Sequence, residues 1–94
     1  MYYVVRCDIA SGKEEDMDRL MQRVKSFWMA QPGVKGFQVY MDMMEGWPER
    51  TMMIEVDDMA CLQGVLEMDE RKQLRKEFMA MAIQVQSQMM DMMM

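Results

Sequence analysis

The constraint that most narrows the fold is a change of apolar period along the chain. Tyr2 to Ile9 alternates: Tyr3, Val5, Cys7 and Ile9 on one side, Tyr2, Val4, Arg6 and Asp8 on the other. A two-residue period with Tyr, Val and Ile is a strand signature. Met17, Leu20, Met21, Val24, Phe27 and Trp28 then recur every three or four residues, the period of one helix face. Ser11-Gly12-Lys13-Glu14 has capping-box spacing and predicts the helix start. Glu14, Glu15 and Asp16 suit the positive end of the helix dipole. Gln31-Pro32-Gly33 ends the helix, because proline disfavours a helical residue before it.

The alternation returns from Val34 to Met44, with Phe37, Val39, Met41 and Met43 on one face and Gln38, Tyr40, Asp42 and Met44 on the other. Glu45-Gly46-Trp47-Pro48-Glu49 reads as a turn. Thr51 to Val56 is a third strand, and Asp57 or Asp58 caps a second helix with Met59, Leu62 and Leu66 on its stripe. The stripe loses phase at Met68-Asp69-Glu70, where Asp69 is placed to cap a restart, and resumes at Leu74, Phe78 and Met81. In the tail, alternating Gln84, Gln86 and Gln88 favour a fourth strand over roughly Val85 to Met93. Helix-forming Gln and Met leave a continued helix as the alternative.

Strand, helix, strand, strand, helix, strand is the split βαβ order of an α+β, ferredoxin-like βαββαβ domain. It predicts a four-stranded antiparallel sheet, the first and third strands central, and both helices on one face. With 94 residues the chain holds one such domain, residues 1–94. The strand faces turned away from the helices carry Tyr2, Val4, Tyr40, Met44 and Met53, too apolar to face water. A second copy is the expected cover, since two-fold dimers are the commonest closed assembly.

Composition removes several chemistries. Sixteen acidic against eleven basic residues give a net charge of -5, which argues against nucleic acid as a partner. His and Asn are both absent, so no imidazole serves as base or metal ligand. No apolar run reaches membrane-spanning length, and the N-terminus does not read as a signal peptide. Cys7 and Cys61 do not form a C-x-x-C pair; both read as reduced, mostly buried thiols of a cytoplasmic protein. Cys61, near a helix start, keeps a reactive-thiol alternative. No P-loop, Rossmann glycine pattern, zinc spacing or nucleophile triad is present.

Eighteen methionines against four leucines are the anomaly. Met replaces Leu at low cost, so core filler is the expected role. Soft-metal binding at Met41–Met44 or Met89–Met94 is the alternative, since thioethers select Cu(I).

Two stretches resemble the dimeric α+β barrel superfamily, in its antibiotic-biosynthesis-monooxygenase-like branch. One is Gln31-Pro32-Gly33-Val34-Lys35-Gly36-Phe37-Gln38-Val39-Tyr40, the passage from first helix to second strand. The other is Thr51 to Ala60 with Leu66 to Leu74, the third strand and the broken second helix. The resemblance implies a homodimer whose sheets close into a barrel, with a ligand cavity between sheet and helices in each subunit. Haem-degrading relatives use a His and an Asn, absent here. The cofactor-independent oxygenases remain, in which the substrate itself activates oxygen. No cofactor and no metal are therefore expected, and the ligand would be a hydrophobic aromatic or quinol-type molecule. A non-catalytic dimer with its cavity filled by side chains is the competing class.

Within that frame Tyr3, Trp28, Phe37 and Phe78 are the candidate ligand-binding residues, with the Tyr3 hydroxyl orienting a substrate. Arg6, Tyr40 and Glu55 are the candidate dimer-interface residues, Arg6 and Glu55 as an ion pair. Lys13–Asp16 and Asp69–Lys72 read as solvated helix faces.

Overall fold

The computed structural model describes residues 1–94. The elements run β1 (Tyr2–Ile9), α1 (Glu14–Met29), β2 (Val34–Met41), β3 (Arg50–Val56), α2 (Met59–Leu66), α3 (Asp69–Met79) and β4 (Ala82–Met90). All strand pairs are antiparallel, in the order β2-β3-β1-β4, so β1 and β3 are central as expected. The molecule measures 36 × 34 × 17 Å. A thickness of 17 Å accommodates one sheet and one helix layer, and leaves the other sheet face uncovered.

The core lies between those layers. Tyr3, Val5, Cys7 and Ile9 of β1, Ile54 and Val56 of β3 and Phe37 of β2 meet Met17, Leu20, Val24, Phe27 and Trp28 of α1. Leu62, Val65, Leu74 and Phe78 from α2 and α3 complete it. Val4 is fully buried on the opposite face, flanked across the ladders by Met53 and Gln88.

Several expected details change. Ser11 does not cap α1. The Lys13 N–H donates to the Ala10 carbonyl at 3.0 Å, closing a turn around Gly12 at φ +80°, and the helix starts at Glu14 with no side-chain cap. A left-handed residue at the third turn position suits Gly, so the turn displaces the capping box. The Asp58 carboxylate does cap α2, accepting from the Cys61 N–H at 2.8 Å. Asp69 lies in the first turn of α3, after an N-cap at Met68, instead of capping it.

β2 stops at Met41, before Met44, and the tail is a strand starting three residues earlier than expected. Its register shifts between Arg6 and Asp8: Arg6 faces Gln86 and Asp8 faces Ile83, so β4 carries one extra residue. Gln84 takes up this bulge at φ +53°. The bulge turns Ile83 onto the uncovered face beside Asp8, where half its surface is exposed.

Most of the methionines are not core filler, although Met1, Met21, Met52 and Met81 pack against the core. Met17 alone is buried, and twelve of the eighteen are exposed. The expected Met41–Met44 and Met89–Met94 clusters lie at opposite ends of the sheet: Met41 pairs with Arg50, whereas Met90 pairs with Tyr2.

Arg6 and Glu55 share a face but do not pair. Arg6 stands opposite Thr51, and Glu55 opposite Tyr2, four residues along the ladder. The Arg6 guanidinium instead bonds the Gln88 side chain and points a second nitrogen at the Met90 sulfur, 3.8 Å away.

Candidate functional site

The helix-facing side chains of β1 set the floor of the site. Tyr3 and Val5 project towards α1 and α3, because odd positions of this strand share that side. Trp28 reaches Tyr3 from the last turn of α1, ring centroids 5.9 Å apart and tilted by 31°. Phe27 meets the Trp28 ring edge-on at 6.2 Å. The aromatic rings thus hold each other in fixed relative orientation.

α3 supplies the polar end. Arg71, Leu74, Arg75 and Phe78 fall at i, i+3, i+4 and i+7, one stripe of the helix. Leu74 and Phe78 are buried, and the two arginines, half-buried, continue their line towards the surface. Arg71 Nη2 donates to the Tyr3 hydroxyl oxygen at 3.3 Å. The four ion pairs of the chain involve neither Arg71 nor Arg75.

These groups enclose a cavity of about 30 Å³, walled by Tyr3, Val5, Trp28 and Phe78 and capped by Arg71 and Arg75. That holds a water or two and no aromatic ligand. Beside it, a cleft of about 540 Å³ opens between α1 and the β2–β3 side of the sheet. Met17, Met21, Phe37, Met52 and Phe78 line its apolar depth, with Lys25, Gln22 and Arg50 nearer solvent. This volume is in the range of small-molecule sites.

Of the residues singled out from sequence, Tyr3, Trp28 and Phe78 share the inner cavity, while Phe37 lies in the outer cleft; Phe78 reaches both. Arg71, Arg75, Met21 and Met52 were not anticipated. Arg71 stood within a run read as a solvated face; its spacing to Leu74 and Phe78 was the available signal. Arg6, Tyr40 and Glu55 all lie on the sheet face away from the helices.

Cys7 is buried, and burial with nearby Asp8 and Glu49 pushes its thiol up to about 11. It is held as the unreactive thiol. Cys61, expected to be mostly buried, is half-buried at the start of α2, its Sγ 3.2 Å from the Pro32 carbonyl oxygen. No three His, Cys, Asp or Glu side chains converge into a metal-binding group. No helix is long and apolar enough to cross a membrane.

No family model matches the sequence, and no curated protein matches it. Solved structures do match the fold. SnoaB, a cofactor-independent oxygenase from Streptomyces nogalater, superposes with a TM-score of 0.87 at 12% identity over 99% of this chain and 92% of its own. A dimeric ferredoxin-like protein of unknown function from Jannaschia gives 0.83 at 13% identity, covering 97% of each chain. A Pseudomonas aeruginosa protein gives 0.81 at 14% identity over 99% of this chain and 93% of its own. The chain therefore shares the ferredoxin-like fold of these proteins.

Proposed function

We propose that the protein is a homodimeric, cofactor-independent monooxygenase-like protein that binds a flat, hydrophobic aromatic or quinol-type molecule between its helices and its sheet. The observation that carries this reading is the apolar cleft of about 540 Å³, which only Val5, Met21, Met52 and Phe78 separate from the cavity holding the Tyr3–Arg71 hydrogen bond. The fold shared with SnoaB supports the same class.

The chemistry asked of the residues is modest. An aromatic ring system would lie against Phe37 and Phe78, with its ionisable oxygen directed to Arg71 and Tyr3. A guanidinium beside that oxygen favours its ionised form. The ionised substrate, electron-rich, is itself the reductant of O₂. For a substrate with an activated CH₂ group, the balance is loss of both hydrogens, one oxygen atom retained as a ketone and the other released in water. The protein's part is to exclude solvent, fix the ring and hold the negative charge.

Dimerisation belongs to the same proposal. Met53, Tyr40, Ile83 and Met90 crowd a face with no second layer, and a two-fold copy would cover them. A cytoplasmic location, expected from the two unpaired cysteines, is proposed with it.

A non-catalytic reading draws on one specific observation: the inner cavity is small, with Tyr3 and Trp28 packed across it. Anthrone, a flat molecule with an acidic CH₂ between aromatic rings, separates the two. The oxygenase reading expects O₂ uptake and ketone formation above the buffer rate, abolished in Arg71→Met. A rate equal to buffer, with anthrone nonetheless bound, would leave a binding protein.

A further inference from the structure

Four residues belong to both the inner cavity and the outer cleft: Val5, Met21, Met52 and Phe78. They are the wall between the two spaces. Val5 and Phe78 are buried and fixed by the core around them. Met21, from α1, and Met52, from β3, are half-buried and lie at the margin of the core. Met52 stands between Val5 and Val39 on the helix-facing side of the sheet, so its side chain rises into the gap under α1.

The chemistry of that wall is uneven. An unbranched thioether chain has three rotatable bonds and repacks at low cost, whereas Val and Phe do not. The apolar cleft lies on one side of the wall. On the other lie the Tyr3 hydroxyl and the Arg71 and Arg75 guanidiniums, which no carboxylate of this acidic chain pairs.

We propose that Met21 and Met52 are the specificity-determining residues of the site: they form a displaceable partition that sets how far a ring system reaches from the cleft towards Arg71 and Arg75. This rests on the reading of the cleft as an aromatic-ligand site. A one-ring molecule is held in the cleft with both methionines in place. A longer, anionic ring system turns them aside, joins the two spaces and brings its charge to the two guanidiniums. Ligand length is thereby coupled to the recognition of charge.

The test uses benzoate, 2-naphthoate and anthracene-2-carboxylate as probes of increasing length, with affinities from calorimetry. Met21→Ala with Met52→Ala removes the partition. Met21→Ile with Met52→Ile keeps much of its volume and stiffens it. Thermal melting of each variant confirms that it is folded. The alanine pair is expected to strengthen anthracene-2-carboxylate binding relative to benzoate by on the order of tenfold. The isoleucine pair is expected to weaken it relative to benzoate by a similar factor. Arg71→Met in the alanine background is expected to remove that gain. Probes that bind with the same length preference in all variants would overturn the partition while leaving the aromatic site standing. No binding of any probe, the alanine pair included, would overturn the site and the partition together.

Discussion

Arg71 Nη2 and the Tyr3 hydroxyl oxygen, 3.3 Å apart, tie α3 to a central strand of the sheet across 68 positions of sequence. The bond is at the long end of the useful range. Tyr3→Phe is expected to cost about 1 kcal/mol or less in urea unfolding. A loss of several kcal/mol would show that the hydroxyl holds the fold together instead of facing a ligand.

Trp28 is the opposite case. It is 3% exposed and packs against both Tyr3 and Phe27. Trp28→Ala is expected to destabilise by about 3–5 kcal/mol, measured by urea unfolding. A change below about 1 kcal/mol would mean that neighbouring side chains collapse into the space.

Two glycines adopt left-handed backbone and should respond differently to a methyl group. Gly12 has φ +80° and open space around it, so Gly12→Ala is expected to cost about 1–2 kcal/mol from conformation alone. At Gly33, φ +84°, a Cβ would lie 2.8 Å from the Cys61 sulfur. Gly33→Ala is expected to cost more than Gly12→Ala, and Cys61→Ala in the same chain to remove part of the excess, since the Cβ at position 61 stays 3.3 Å away. Equal losses at the two glycines, by thermal melting, would deny the close approach.

The two thiols should separate under alkylation. Cys61 is expected to react with iodoacetamide in the folded protein, and Cys7 only on unfolding, as read by peptide mass mapping. The Cys7 thiol is raised from 9.0 to about 11 in the fold, so folding favours the neutral form. Its contribution to stability is complete below about pH 9 and is lost as pH rises through about 11. Stability that is flat from pH 8 to 11 in a variant lacking only Cys61 would contradict this.

The uncovered sheet face makes a prediction about assembly. Met53→Glu with Tyr40→Glu places four carboxylates across a two-fold interface, and sedimentation is expected to shift from dimer to monomer. A wild-type monomer at micromolar concentration would remove the dimer from the proposed function.

How much of this was legible depends on the kind of signal. The element order followed from the apolar period, because burial of one face enforces it, and the central position of β1 from the split βαβ plan that this order matches. Tyr3, Trp28 and Phe78 could be placed together because each lay on such a periodic stripe. Arg71 could not, since a charged residue beside Asp69 and Glu70 looks solvated; only its alignment with Leu74 and Phe78 puts it at the cavity. The tail's alternation showed a strand, but the bulge at Gln84, which turns Ile83 to the face of Asp8, has no signature in that alternation. Arg6 and Glu55 share a face, but register along the ladder, invisible in either strand alone, separates them.

The outward placement of the methionines has a chemical consequence. Peroxide and hypochlorous acid convert thioethers to polar sulfoxides, a change that wrecks an apolar interior. Here twelve of eighteen sulfurs stand at the surface and Met17 alone is enclosed. Oxidants would therefore spend themselves on the periphery while the packing between helices and sheet stays chemically intact, and methionine sulfoxide reductases would find most of their substrates already within reach.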